Sequence, residues 1–379
     1  MRSRTVAGAE FEAGADFPHL RGQKVALAAN HTALCRGRHL AEVLAESLGV
    51  QLVALLAPEH GFWGKEAAEF PSGVHPELRV PVHSLYGEAL KPTPEMLGGA
   101  HLLVYDMQSI GVRYYTYETT MRYCLEAAAE AGLPFVVFDR PNPLGGEVVE
   151  GPVLEAGHES FVGALPVPVR HGMTIGELAL LARDWLGLNT EVRVVRMQGW
   201  RRAMDYEATG LPWVPPSPAM LTLSTARVYP GTCLLEGTNL SEGRGTEAPF
   251  EVVGAPFISG AAVAARLQQA GLPGVKWEPV DFVPRRSKWA GEHCGGVRLV
   301  VEDPQAFRPV AAGIHLLRAL RDLAGDSFQW EAEHFGHLIG NAWVRRWIED
   351  GRTAYDIVTA WQAGLAEFLE QRQRYLCYS

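Results

Sequence analysis

A chain of 379 residues is too long for one small core and suggests two domains, one large and one modest. Its 47 % hydrophobic and 20 % charged residues are the proportions of an ordinary globular protein. With 34 basic and 43 acidic side chains the net charge is −9, which argues against nucleic acid as a main partner.

No stretch approaches the roughly 18 apolar residues needed to span a bilayer. The opening Met1-Arg-Ser-Arg4 is basic but has no apolar run behind it, so no secretory signal is visible. Five cysteines, Cys35, Cys124, Cys233, Cys294 and Cys377, are widely spaced and form no C-x-x-C pair. They read as reduced, mostly buried thiols of a cytoplasmic protein, although a secreted mature form would look the same.

In chain order, Lys24–Asn30 reads as a first strand. A helical stripe follows over Arg38–Leu48, with Leu40, Val43, Leu44 and Leu48 on one face. The unbroken apolar run Leu52–Ala57 suits a strand buried on both faces, and Pro58 stops it because it offers no N–H. Pro71–Val82 reads as a loop over the strand ends. His101–Asp106 is a further strand, Glu118–Ala131 a helix, and Pro134–Asp139 another strand, followed by a loop at Arg140–Gly146. Met173–Leu178 opens a helix running to about Leu188, with Thr174 and Glu177 as a capping box and Met173 stapled to Leu178. Glu191–Met197 is strand again.

Strands alternating with helices at short connections predict a doubly wound α/β fold with a mostly parallel sheet. Leu211–Pro218 is stiff and extended, and Gly231–Thr246 reads as a glycine-rich loop. The character changes near Gly254. Helices at Ala261–Ala270, Pro304–Leu323 and Thr353–Gln371, with a strand at Gly296–Glu302, predict a second, smaller α+β domain. The expected division is residues 1–254 and 255–379.

Glu59, Asp106 and Asp139 all stand at strand ends, which in a parallel sheet open onto one edge, where ligands bind. The bland alternative for Glu59 and His60 is a solvated turn. Asp139 beside Arg140 suits a structural pair better than a catalytic one, since a neighbouring cation keeps an aspartate charged. Gly111–Tyr117 carries Arg113 and three tyrosines, which could pack in a core or present flat faces and donors to a sugar. In the glycine-rich stretch, Glu236 and Glu242 flank Asn239, with Arg244 behind. Neither G-x-x-x-x-G-K-[ST] nor G-x-G-x-x-G occurs, so nucleotide binding lacks its best signatures. The histidines form no H-x-x-x-H or H-E-x-x-H set, so no metal is expected, and no other cofactor is; without a G-x-S-x-G elbow a serine hydrolase of that type is not expected either.

Several phrases together resemble a known family. They are Pro58-Glu-His-Gly-Phe62, Ser84-Leu-Tyr-Gly87, Asp106-x-Gln108 with Gly111-x-Arg113-x-Tyr115-Thr-Tyr117, and Asp139-Arg-Pro-Asn-Pro-Leu-Gly-Gly146. Glu150-Gly-Pro152, Arg170-His-Gly-Met-Thr-Ile-Gly-Glu-Leu178, Leu211-Pro-Trp-Val-Pro-Pro-Ser-Pro218 and the run Tyr229–Thr246 continue them in order. The chain resembles the exo-β-N-acetylmuramidases, long catalogued as a bacterial domain of unknown function, from about residue 20 to Tyr378. The resemblance implies a Rossmann-like larger domain, a smaller domain, and an active site in the cleft between them. It further implies a glycosidase that removes N-acetylmuramic acid from the non-reducing end of peptidoglycan fragments, a small-molecule sugar substrate such as a muramic-acid-containing disaccharide or muropeptide. The chain departs from the family pattern at His31, Ala68 (before Glu69), Ser109, Ala219 and Leu221, all near the expected cleft.

Glycoside hydrolysis needs a proton donor at the leaving oxygen and a second group at the anomeric carbon. Glu59 is the expected acid, desolvated by Phe62 and Trp63, with His60 orienting it or carrying a proton and Glu236 next in line for the acid role. Asp106, Glu236, Glu242 or the substrate's own acetamido oxygen could oppose it. An arginine fork suits the lactyl carboxylate of muramic acid, and Arg113, Arg140 and Arg244 are the candidates. Gln108, Tyr117 and Asn239 complete the expected substrate-binding set. The rival class is a non-catalytic binding protein for muropeptides or other acidic amino sugars.

Overall fold

The computed structural model describes residues 4–65 and 70–379. Met1–Ser3 of the basic N-terminus, and Ala68 and Glu69, lie outside the described residues.

Short helix α1 (Gly8–Ala13) precedes strand β1 (Gln23–Ala29). A small hairpin, β2 (Leu34–Cys35) and β3 (Arg38–His39), leads into α2 (Leu40–Glu46) and β4 (Val50–Ala57). Strands β5 (Gly73–Val74), β6 (Pro81–Ser84) and β7 (Leu102–Asp106) follow, then helix α3 (Thr116–Glu130) and strand β8 (Phe135–Phe138). After β9 (Glu150–Val153) and β10 (Pro168–Arg170) come α4 (Ile175–Trp185) and β11 (Val192–Val195). The C-terminal part holds α5 (Leu223–Thr232), β12 (Val252–Ala255), α6 (Gly260–Gln269), β13 (Val275–Phe282), β14 (Cys294–Val301) and α7 (Pro309–Ala324). Four shorter helices close the chain: α8 (Ala332–Ile339), α9 (Trp343–Glu349), α10 (Ala354–Ala360) and α11 (Gln362–Arg372).

Among the described residues the main sheet has seven strands in the order β11-β8-β7-β1-β4-β6-β5, parallel apart from β5. Alternate residues of its central strands enter two hydrophobic cores, one on each face: Ala26, Ala28, Leu103 and Tyr105 on one side, and Val25, Leu27, Leu102 and Val104 on the other. Burial on both faces is why these strands read as continuous apolar runs. A smaller antiparallel sheet, β12-β14-β13, backs onto α6 and α5, which makes this an α/β fold with a second, smaller sheet region.

The chain winds outward from β1 through β4 to β6, then crosses back to β7, so the order reverses between β1 and β7. Such a reversal opens a crevice at the strand ends. Here the crevice is plugged by side chains. Asn30 Nδ2 donates to the Tyr117 hydroxyl at 2.9 Å, and the Gln108 N–H donates to Thr32 Oγ1 at 2.9 Å. The open space lies instead beside the end of β4.

Several expectations need correction. Pro71–Val82 is not simply a loop, because β5 and β6 pair there and β6 extends the sheet beside β4; Pro81 opens β6, where a missing N–H costs little. The antiparallel pair β9–β10 was not anticipated. Part of the expected glycine-rich loop is helical, for α5 runs to Thr232 with Pro230 inside it, and a 3₁₀ turn covers Cys233–Gly237. Gly231 is needed there because a Cβ would lie 2.0 Å from the Pro309 carbonyl oxygen and 3.0 Å from the backbone of Gly313, so α5 crosses α7 at backbone contact. The expected helix over Thr353–Gln371 is two helices, broken at the buried Trp361. The capping box at Thr174 and Glu177 is present as read. Among the described residues the five cysteines are free thiols, and no helix is long and apolar enough to cross a membrane.

Candidate active site

The end of β4 sets the first functional side chain. Gly61 N–H donates to the Pro58 carbonyl at 3.0 Å, and both His60 (φ 71°) and Gly61 (φ 76°) are left-handed. For a histidine that conformation costs roughly 1–2 kcal/mol. Held off the strand in this way, Glu59 accepts a hydrogen bond on Oε2 from Thr116 Oγ1 at 2.8 Å. Thr116 is the first residue of α3, so β4 and α3 jointly orient the carboxylate.

Glu59 and His60 line a cavity of about 250 Å³. Its walls include Tyr114, Tyr115 and Tyr117 from the start of α3 and Tyr229, Phe250 and Arg244 from the C-terminal part. Tyr229 stacks edge-on with Tyr114, Tyr115 and Phe250, so the wall is one aromatic assembly. Phe62 and Trp63, expected to desolvate Glu59, pack instead against each other and His75, with Phe62 also against His39. Tyr114, Tyr115 and Tyr117 share the cavity wall with Glu59 instead. Among the described residues Glu59 is the one carboxylate lining the cavity.

Arg244 is half-exposed, and its guanidinium lies 4.9 Å from the centre of the Phe250 ring. Behind it, Glu236 Oε1 accepts from Arg244 Nε and Nη2 at 2.9 and 2.7 Å, and Glu242 lies 3.5 Å away. Burial works to raise the pKa of Glu236, but a hydrogen bond to His334 and the charge of Arg244 outweigh it and hold it at about 2. A group so acidic is no proton donor near neutral pH. Burial raises the pKa of Glu242, against the pull of Lys288 at 3.5 Å. The glycine-rich stretch therefore reaches the cavity through Arg244, with both glutamates in a second row.

Other expected residues serve the fold. Asp106, fully buried, is forked by Arg140 Nε and Nη2, the latter at 2.9 Å, and Arg140 Nη2 also donates to the Leu34 carbonyl. The guanidinium of Arg140 is thus paired with Asp106 and not with Asp139, which accepts from Arg140 only the backbone N–H at 3.1 Å. Asp139 accepts from Thr174 Oγ1, Gly176 N–H and the Tyr378 hydroxyl, tying β8 to α4 and the C-terminus. The buried Gln108 amide donates to the carbonyls of Ser109 and Pro141. Arg113 donates to four carbonyls, those of Pro152, Val167, Leu338 and Ile339 at 2.8–2.9 Å, and is shut away from the cavity. Asn239 clamps the 327–329 segment through Ser327 O and Gln329 N–H. Tyr117 lines the cavity, and its hydroxyl donates to the Pro216 carbonyl at 2.7 Å, pinning the stiff 211–218 segment. His31 Nε2 holds the same segment at the Pro215 carbonyl.

Sequence reasoning missed Thr116, Tyr229, Phe250 and His334. Thr116 and Tyr229 lay inside quoted phrases, but nothing in the spacing tied either to Glu59. Of the departures from the family pattern, Ala219 lines the cavity and Ser109 donates to Glu118, while Leu221 is exposed. Among the described residues no three His, Cys, Asp or Glu side chains are placed to hold a metal ion.

Models described as the N-terminal and C-terminal parts of the exo-β-N-acetylmuramidase NamZ match residues 25–224 and 227–378. The chain belongs to the exo-β-N-acetylmuramidase NamZ family. It is 43 % identical over 363 residues to the peptidoglycan β-N-acetylmuramidase NamZ of Bacillus subtilis (strain 168), an alignment covering 95 % of this chain and 88 % of that one. A crystal structure of a DUF1343 family protein from Bacteroides fragilis NCTC 9343 matches with a TM-score of 0.93 at 33 % identity over 100 % of both chains. A second such protein from that organism gives 0.83 at 31 %, over 100 % of this chain and 99 % of the other. The cavity is built from both matched parts, since Glu59 through Met220 precede residue 225 and Tyr229, Arg244 and Phe250 follow it.

Proposed function

We propose that this chain is an exo-acting glycosidase that releases N-acetylmuramic acid from the non-reducing end of peptidoglycan fragments, with Glu59 as general acid and base. The observation that carries the reading is a single carboxylate, fixed by Thr116, in an aromatic-walled cavity that also presents a guanidinium. Retaining and inverting schemes both need a second carboxyl roughly 5–9.5 Å from the first. With no other carboxylate among the described residues of this wall, the acetamido oxygen of the substrate is the favoured nucleophile, and Glu59 protonates the leaving oxygen. His60 orients the acid.

Arg244 is the residue proposed for the lactyl carboxylate. Arg113 and Arg140 are committed to carbonyls and to Asp106, whereas Arg244 lines the cavity with its position set by Glu236. The tyrosine faces suit a pyranose ring. The proposal takes residues 1–254 as the catalytic unit and 255–379 as the smaller one, because the residues offered for chemistry all precede 254. Five free thiols are in keeping with action on fragments inside the cell.

Release of a chromophore from an aryl β-N-acetylmuramide, compared with the matching β-N-acetylglucosaminide, tests the reading. Faster release from the muramide is expected. Tight binding of the muramide without release would leave a binding protein, and equal rates on both sugars would remove Arg244 from the lactyl group.

A further inference from the structure

Away from the Glu59 cavity, and sharing no lining residue with it, lies a second cavity of about 220 Å³. Four arginines line it: Arg170 at the end of β10, Arg202, Arg227, and Arg308 just before α7. Two are neutralised, Arg202 by Glu177 at 2.7 Å and Arg227 by Glu207 at 2.5 Å and Asp205 at 3.8 Å. The other two have no carboxylate within ion-pair distance among the described residues. Arg308 Nη1 donates only to carbonyls of its own turn, residues 305–307. Arg170, 6 % exposed, donates once, to the Leu144 carbonyl, and its buried Nε–H has no acceptor.

Arg113 and Arg372 also leave Nε without a partner, but each donates to a set of surrounding carbonyls, and neither lines this cavity. Arg170 is different because it makes a single side-chain hydrogen bond and lines the cavity. Glu150, paired with Arg170 across β9 and β10, feels both Arg170 and Arg308 and leaves its buried Oε2 without a hydrogen-bond partner. Its Oε1 is already taken by the Ala311 N–H at 2.6 Å, and burial raises its pKa to about 7, so its charge is only partial at neutral pH. Glu147 and Asp205 also line the cavity, so its charges are mixed, but Arg170 and Arg308 have no ion-pair partner among the described residues, and a buried donor without an acceptor calls for a partner.

We propose that this cavity binds a small organic oxyanion, held between Arg170 and Arg308. Guanidinium forks match carboxylate and phosphate oxygens alike. The space holds several times the roughly 30 Å³ share of one water molecule. Leu144, Met204 and Phe307 on its wall suit a ligand with a carbon body and not a bare ion.

Calorimetric titration of the full chain with glucose 6-phosphate, succinate and inorganic phosphate, at constant ionic strength and with glucose as the neutral control, tests the assignment. Saturable binding of glucose 6-phosphate or succinate is expected, with glucose silent, and whichever binds more tightly identifies the source as phosphate ester or carboxylate. Arg308 is exposed, so Arg308→Gln should fold normally, weaken binding about tenfold or more, and keep aryl muramide hydrolysis within twofold of the parent. Arg308→Glu should abolish binding. Absence of saturable binding to any probe, binding of inorganic phosphate alone, or binding unchanged in Arg308→Gln overturns the proposal. So does a loss of hydrolysis in Arg308→Gln that parallels the loss of binding, because the cavity would then belong to the active site.

Discussion

Two arginine–carboxylate pairs stand near the same edge of the main sheet, and they have opposite fates. In Arg140–Asp106 the side chains are 10 % and 0 % exposed, and the guanidinium is consumed by Asp106 and the Leu34 carbonyl. In Arg244–Glu236 they are 39 % and 19 % exposed, and the guanidinium rests on Phe250 with one side open to the cavity. Both join a loop cation to an acid and both looked like substrate-binding groups. The first is a strut that closes the end of β7, while the second is a handle whose unused donors face a place a ligand can enter. A charged pair becomes a recognition element only when the fold leaves part of its hydrogen-bonding capacity unsatisfied.

Glu59 tests the open side most severely. Glu59→Gln keeps the volume and the acceptor for Thr116 but cannot deliver a proton. A loss of about 10²–10⁴ in kcat on a natural disaccharide is expected, with KM little changed and partial rescue by activated aryl leaving groups. Near-normal kcat would move the acid elsewhere on the cavity wall.

On the closed side, Asp106→Asn strands the Arg140 charge inside the protein. Loss of one partner of a buried pair costs about 3–5 kcal/mol, to be read by denaturant unfolding, while kcat/KM of the folded enzyme should hold. If activity fell while stability did not, Asp106 would be a substrate contact after all.

Arg244→Gln should show the reverse pattern. Removing a charge-assisted contact of about 1.5–3 kcal/mol should raise KM for the muramide roughly tenfold to a hundredfold and leave the glucosaminide nearly untouched, with little change in melting temperature. Glu236 has its pKa lowered from 4.5 to about 2, so any stability it contributes is complete above pH 4.5 and lost only as pH falls through about 2. The preference for muramide over glucosaminide should therefore stay flat from pH 5 to 8. A preference that titrates in this range would count against Arg244 and Glu236 as its source.

A third buried carboxylate shows what happens where no guanidinium is supplied. Glu118, on α3, has Ser109 as donor and His171 at 3.5 Å, and burial raises its pKa to about 8 despite the Ser109 bond. His171 is no counter-charge, since burial lowers its own pKa to about 3. The folded state thus holds the proton on Glu118 more tightly than the unfolded chain does. Its contribution to stability is full below pH 4.5 and diminishes as pH rises towards 8. Glu118→Gln should flatten the fall in melting temperature between pH 5 and 8.5, the smallest of these effects. Parallel curves for the two proteins would show that Glu118 is charged in the fold.

The core strands and the capping box were legible in the sequence because each follows from local chemistry. Strands β1, β4, β7 and β8 are buried on both faces and so had to be continuous apolar runs. Thr174 and Glu177 cap their own helix within four residues. The parallel class of the sheet, the strand-end position of Glu59 and the family phrases were likewise present in the linear order. Helix α5 was not legible, because Pro230 and Gly231 argue locally for a loop and only contact with α7 makes them helical.

Which of the strand-end acids and arginines face open space was decided by tertiary structure alone. Asp106, Asp139 and Glu59 are equivalent as strand endings. They differ because Arg140, 34 residues from Asp106, folds back onto it, because the C-terminal Tyr378 reaches Asp139, and because Glu59 is met by the neutral hydroxyl of Thr116. Arg113 looked like a sugar ligand until four carbonyls from segments as distant as residue 339 enclosed it. Spacing along a chain reports which side chains share a local element. Whether a polar group is satisfied depends on partners brought from far away, and the unsatisfied remainder, at Glu59 and Arg244 as at Arg170 and Arg308, is what a ligand can use.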